Sequence, residues 1–105
     1  MGTNEENLGR INKTEKERAL SFELIQVKSS RISGIGFMST RTNNTPGKEF
    51  IDRGMVIIEF NNPKGSRYVY FNVKRSTFNQ LKNADSIGKT FGELFLNKFE
   101  YERIS

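Results

Sequence analysis

Tyr68 and Tyr70, two residues apart among basic side chains, are the pair whose type and spacing best suit contact with another molecule. The run Arg67-Tyr68-Val69-Tyr70-Phe71-Asn72-Val73 alternates strictly, which predicts a β-strand. Val69, Phe71 and Val73 are then expected on one face, and both tyrosines on the other. Lys64, Arg67, Lys74 and Arg75 flank the run, and Lys89 follows at the start of a later helix. Paired phenol rings on a positively charged sheet can stack nucleobases while the charges hold phosphates. The competing expectation is burial, because Met55 and Ile57 should share that face and apolar area is usually covered. Residues 14–27, the 39–54 loop or a second subunit would supply the cover.

Other chemistry is sparse. The chain has no cysteine and no histidine, which excludes disulfides, most zinc sites, Ser-His and Cys-His nucleophiles, and imidazole acid–base catalysis. Glu49, Asp52 and Glu59 form no pattern of a metal cage or a glycosidase pair. Ser86-Ile87-Gly88-Lys89-Thr90 resembles the end of a phosphate loop, but Asn83 stands where the first glycine is required. A capped helix with Gly88 allowing close packing is the better reading, although amides at such a start can bind one phosphate group. Gly34-Ile35-Gly36 fails as a dinucleotide fingerprint because Ser39 replaces the third glycine. The expectation is a non-enzyme without cofactor or metal.

The 105 residues suit one domain, and 28% charged residues with a mean hydropathy of −0.64 describe a polar surface around a small core. Residues 1–26 carry a net charge of −1 and residues 27–105 carry +6, so the positive excess belongs to the part expected to fold. Such a domain suits an anionic partner, whether nucleic acid, nucleotide or an acidic protein surface, although the charge also serves solubility. No apolar run approaches the ~18–20 residues of a membrane span. The first residues lack a signal-peptide layout, and Glu6 stands where a myristoylation motif needs Ser or Thr. A cytoplasmic protein is expected.

Along the chain, residues 1–12 read as a frayed leader. Thr14 and Glu17 have capping-box spacing, predicting a helix over 14–22. Residues 31–37 read as a first strand, in which Gly34 and Gly36 permit a bend or a close backbone approach. A polar loop over 39–54 carries turn chemistry at Asn43-Asn44-Thr45-Pro46-Gly47. Strands are expected over 55–60 and 67–73, joined by a turn at 61–66 and antiparallel. Phe78 and Leu81 suggest a helix near 75–83. Asp85 or Ser86 can cap another in which Ile87, Phe91, Leu94 and Phe95 form an apolar stripe. That stripe is expected on a sheet face made by Val56, Ile58, Phe60, Val69, Phe71 and Val73. The alternating tail at 99–104 suits a terminal strand or an extended clamp.

Leu24 through Ile104 resembles the KTSC domain, a family named for its place at the C-terminus of some lysyl-tRNA synthetases and found also as a stand-alone bacterial and phage protein. The resemblance is carried by Val27-Lys28-Ser29-Ser30 with Ile32, Ile35-Gly36-Phe37, Ile58-Glu59-Phe60, Tyr68-Val69-Tyr70-Phe71-Asn72-Val73, Phe78 with Leu81, and Ala84 through Phe91. The end Phe99-Glu100-Tyr101-Glu102-Arg103-Ile104 is similar to the family's aromatic and basic close. Lys74 and Glu100 stand where the family has proline. The 39–54 loop is long for the family, and residues 1–23 are an extension. The link to a tRNA synthetase implies RNA binding.

The expected fold is α+β: a three-stranded antiparallel meander, two C-terminal helices on one face and an N-terminal helical extension. Residues 1–23 form the extension and 24–105 the KTSC-like domain. The expected function is a binding module for RNA or another nucleic acid through Tyr68, Tyr70, Lys64, Arg67, Lys74, Arg75 and Lys89. The alternative is a phage or mobile-element product that inhibits a host protein through the apolar sheet face or the long loop. A variant of it is a homo-oligomer holding a signalling nucleotide.

Overall fold

The computed structural model describes residues 11–39 and 53–105. The leader at 1–10 and the loop residues 40–52, with Glu49 and Asp52, lie outside them. Three helices and five strands make up the described chain. In order they are α1 (Lys13–Ser21), β1 (Ile25–Gln26), β2 (Ile32–Ser39), β3 (Arg53–Asn61), β4 (Lys64–Lys74), α2 (Arg75–Lys82), α3 (Ile87–Leu94) and β5 (Tyr101–Arg103). All five strands pair antiparallel in chain order, β1-β2-β3-β4-β5. The expected three-stranded meander is therefore the centre of a five-stranded one, with a two-residue and a three-residue strand added at its edges. Ser39, Arg53 and Gly54, expected in the loop, extend β2 and β3.

The cap of helix α1 lies two residues before the expected one. Asn12, not Thr14, closes the capping box: its Oδ1 accepts from the Glu15 amide at 2.7 Å, while Glu15 Oε1 accepts from the Asn12 amide at 3.4 Å. Asparagine caps as well as threonine does, and the same three-residue spacing recurs in this offset frame. At α3 the cap is Ser86, which accepts from the Lys89 amide.

Both faces of the sheet are covered, which is why Met55, Val56, Ile57 and Ile58 in central β3 are all buried. On one face α2 and α3 pack Phe78, Leu81, Ile87, Phe91 and Phe95 onto Ile32, Ile35, Val56 and Ile58. On the other, Ala19, Phe22 and Leu24 lie with Met38, Met55, Ile57 and Val69. Gly36 belongs to this second face. A Cβ there would stand 2.8 Å from Leu24 Cδ2 and 3.0 Å from the Phe22 ring, so the glycine admits the α1–β1 linker to the sheet surface.

The face assignment of β4 reverses the expectation. Val56 pairs with Tyr70, Ile58 with Tyr68, and Ile57 with Val69. Both tyrosines therefore face α2 and α3, while Val69 and Phe71 face α1. That pairing starts from a register shift between Phe60 and Asn61 beside the turn, and a bulge farther along β4 then separates Val73 from Val69. Gly54 pairs with Val73 and Val56 with Tyr70, so Phe71 and Asn72 together oppose Met55. Asn72 takes φ 59°, the left-handed region that asparagine tolerates better than most residues. Beyond it the alternation restarts one residue out of phase, and Val73 joins the tyrosines in the helix-side core. Counting three apolar residues against two tyrosines chose the wrong face because Val73 does not share a face with Val69.

Asn72→Val is expected to destabilise the fold by about 1–2 kcal/mol, since a β-branched residue resists positive φ. Asn72→Gly is expected to be neutral within about 0.5 kcal/mol. Urea unfolding of both variants measures the difference. Equal losses would mean that the backbone conformation does not matter.

Candidate functional site: an aromatic cleft at the open end of the sheet

Alternation along β4 directs Ser66, Tyr68 and Tyr70 to the helix side. Their cross-strand neighbours on β3 are Phe60, Ile58 and Val56. On the other flank β5 places Tyr101 opposite Tyr70 and Arg103 opposite Tyr68. Helix α3 covers part of this face with Phe91 and Phe95 but does not reach the end near the β3–β4 turn. What is left is a cleft of about 320 Å³ lined by Phe60, Ser66, Tyr68, Tyr70 and Tyr101, with Arg31, Asn62, Pro63 and Asn97 among its rim residues.

The cleft walls brace one another. Tyr70 meets Phe91 and Phe95 edge to face at 5.6 Å, and Phe60 meets Tyr68 and Phe91 in the same way at 5.3 and 5.5 Å. Edge-to-face pairs put positive ring edges on negative ring faces and fix ring orientation. Tyr101 lies 5.8 Å from Tyr68 and 5.4 Å from Tyr70, tilted 40° and 30°. Tyr70 is buried at 4% exposure, Tyr68 is half-buried, and Tyr101 is open to solvent at 59%. Burial, with the Tyr101 and Tyr68 phenols nearby, pushes the Tyr70 phenol up to about 12. Tyr70 therefore remains a neutral donor across the physiological range.

Ser66 sits beside the β3–β4 turn, 4% exposed, and its Oγ has no hydrogen-bond partner among the described residues. A buried hydroxyl without a partner costs about 1–3 kcal/mol. No other buried side-chain polar atom of the described residues is left so.

The seven residues expected to form one site divide. Tyr68 and Tyr70 share the cleft, and Lys64 is exposed beside the turn residues of its rim. Arg67 points to the opposite face, against the expectation, because it alternates with the tyrosines. Its Nη1 donates to the carbonyls of Ala19, Leu20 and Phe22 at 2.8, 3.0 and 3.2 Å, and its Nε to Glu59 at 3.4 Å. It thereby closes the C-terminal end of α1, where unpaired carbonyls concentrate negative potential. Lys74 and Arg75 stand at the other end of β4, ten residues from Lys64 and so roughly 30 Å away along an extended strand. Arg75 lies over the Phe37 ring at 4.4 Å. Lys89 is exposed in the first turn of α3, beside a separate groove that includes Lys28, Ser29 and Gly88. A Cβ on Gly88 would come 3.4 Å from Ser29 Oγ, consistent with the close packing expected there.

Sequence reasoning missed Ser66, Arg31, Phe60, Tyr101 and Arg103 as site residues. Continuing the tyrosine alternation back by two would have reached Ser66. Arg31 comes from the β1–β2 connection, and no local spacing ties it to β4. Among the described residues no cluster of three metal-ligating side chains occurs, and no helix is long and apolar enough to cross a membrane.

These features define a small antiparallel α+β domain with a solvent-open aromatic cleft between its sheet and its last helix. The KTSC domain family model matches residues 52–99. The match spans β3, β4, α2 and α3. The crystal structure of a KTSC domain protein from Yersinia pestis shares the fold with a TM-score of 0.63, at 24% identity over 79% of this chain and 97% of that one. No curated protein matches the chain.

Arg67→Ala is expected to cost about 1–3 kcal/mol through loss of charge-assisted hydrogen bonds. It should also raise amide hydrogen exchange in α1 ahead of the sheet. Exchange that rises uniformly would refute the capping role. The Tyr70 phenol has the opposite kind of signature. Its folded pKa lies above the unfolded value near 10, so its contribution is complete below pH ~10 and is lost as pH climbs toward about 12. Alkaline unfolding of Tyr70→Phe should therefore begin at higher pH than that of the parent chain.

Proposed function

We propose that this chain is a non-enzymatic module that binds single-stranded RNA by taking one unstacked base into the Tyr68–Tyr70–Tyr101 cleft. The observation that carries the reading is the solvent-open cleft itself. Tyr101 presents a ring at its mouth, and the buried tyrosine behind it is held rigid by Phe91 and Phe95. A volume of about 320 Å³ is at the lower end of small-ligand sites and suits one ring system with its sugar outside. Stacking on such rings is worth about 1–3 kcal/mol per base.

Three cations support phosphate contact near this mouth: Lys64, Arg31 and Arg103. Arg31 lines the cleft, Arg103 is the cross-strand neighbour of Tyr68, and Lys64 adjoins the rim at Pro63. Lys74, Arg75 and Lys89 belong to other surfaces, so a long electropositive track is not part of this proposal. That dispersal favours a short ligand and leaves a free nucleotide as the second reading. Inhibition of a host protein through the sheet has less support, because α1 and its linker already cover the apolar reverse face.

The test is fluorescence anisotropy with a labelled mixed-sequence RNA of about fifteen nucleotides. Binding is expected to fall with salt at a log–log slope of roughly −2 for three phosphate contacts. Tyr101→Ala should weaken it roughly tenfold without altering the fold, since that ring is largely exposed. Competition by mononucleotides at concentrations equal to the RNA would favour the free-nucleotide reading. Salt-insensitive binding, or full affinity in Tyr101→Ala, would overturn the assignment.

A further inference from the structure

Resting on that reading of the cleft, we infer that the groove between the β1–β2 connection and the start of α3 holds the phosphate next to the bound base, with Arg31 joining the two sites. Arg31 lines both cavities: the aromatic cleft, and a groove of about 360 Å³ that also draws on Lys28, Ser29, Asp85, Ser86 and Lys89. Lys28, Arg31 and Lys89 are exposed, and none of the three forms an ion pair among the described residues. Three cations therefore converge on one depression whose lining includes a single carboxylate, Asp85. That surplus of positive charge selects an anion. The Ser29 and Ser86 hydroxyls add donors, because each accepts from backbone amides and keeps its own O–H.

The walls of the groove are fastened to those of the cleft. Ser29 Oγ accepts from the Arg31 and Ile32 amides at 3.2 and 3.3 Å. Asn61, at the end of β3, donates its amide to the Arg31 carbonyl at 2.8 Å and its Nδ2 to the Ser29 carbonyl at 3.0 Å. The β1–β2 connection is thereby tied to the strand end that leads into Asn62 and Pro63 on the cleft rim. On the other side α3 comes close through Gly88, where a Cβ would stand 3.4 Å from Ser29 Oγ and 3.9 Å from Arg31 Cδ. The Arg31 stem therefore lies against the start of α3, and its guanidinium carries enough donors to serve an anion bidentately. A base in the cleft has its sugar outside, so the adjoining phosphate passes Arg31 and meets Lys28 and Lys89. Lys89 contributes in this way although it lies outside the cleft, and the footprint stays short. The ligand class is a base whose sugar carries a phosphate, rather than a free base or a nucleoside.

The experiment displaces the same labelled RNA from the full chain with the ribonucleosides and with their 3′,5′-bisphosphates, which place a phosphate on either side of the base. The parent chain is expected to prefer at least one bisphosphate over its nucleoside by about tenfold. Lys28→Gln combined with Lys89→Gln should weaken RNA and bisphosphate binding about fivefold and leave nucleoside binding unchanged. Asp85→Asn, which removes the carboxylate of the groove, should tighten both about twofold. As a charge control, Lys16→Gln combined with Lys74→Gln takes the same charge from other surfaces and should change RNA affinity by less than about twofold. All five side chains are exposed, so melting temperatures should stay at that of the parent. Full RNA affinity without Lys28 and Lys89, or a loss no larger than that of the charge control, would overturn the groove. The binding module would then stand if Tyr101→Ala still weakened the RNA. Absence of binding by RNA and by every nucleotide would overturn both.

Discussion

An asparagine at φ 59° sets where the alternation of β4 breaks and puts Val73 on the helix side with Tyr70. Without the bulge, Gly54 through Phe60 and the tyrosine strand would keep one phase, and Val69, Phe71 and Val73 would share a face. With it, Val73 enters the core beside Tyr70, and the strand serves two surfaces at once. A sheet has a side-chain period of two, so a single inserted residue moves everything beyond it to the opposite face. The place of Val73 in the helix-side core and the path into α2 follow from that one local count, while the pairing that begins beside the β3–β4 turn sets the face of the tyrosines.

The two faces of β4 do different work. Ser66, Tyr68 and Tyr70 line a cavity, while Arg67, Val69 and Phe71 hold the N-terminal extension. Arg67 shows how the surfaces are tied: its fork closes the carbonyl end of α1, and Glu59 on β3 holds the same guanidinium. Helix α1 buries only Ala19 from its own length, so it contributes little hydrophobic adhesion. Its attachment relies on those hydrogen bonds and on Phe22 and Leu24, which reach the sheet over Gly36 and Gly34.

Much of this architecture was legible in the residues. The apolar stripe of α3, the Ser86 cap, the turn at Pro63 and the role of the β2 glycines follow from spacing, and the structure bears them out. The KTSC resemblance held as well, on the motifs around the tyrosine strand. The face assignment failed for a definite reason. A bulge has no composition of its own, and Asn72 between two apolar residues looks like one more outward position in an alternating strand. The site was half visible. Tyr68 and Tyr70 stood out by type, whereas Ser66 is an ordinary polar residue until its burial is known. Arg67 was misjudged because charge sign says nothing about direction. Its neighbours at i−1 and i+1 in the strand already excluded it from their face.

Strand β5 is three residues long and lies at an edge of the sheet, yet it supplies Tyr101 to the cleft. The wall facing α3 is therefore secured by only a few ladder hydrogen bonds, among them the Phe71 amide to the Glu100 carbonyl at 2.9 Å and the Ile104 amide to the Arg67 carbonyl at 2.8 Å. Fraying of this terminal segment and dismantling of the cavity are one event. On the binding function proposed above, affinity would be reduced by the fraction of molecules whose tail is unzipped at any moment. Arg67 offers its main chain to the tail and its side chain to α1, so one residue of β4 ties both segments to the sheet.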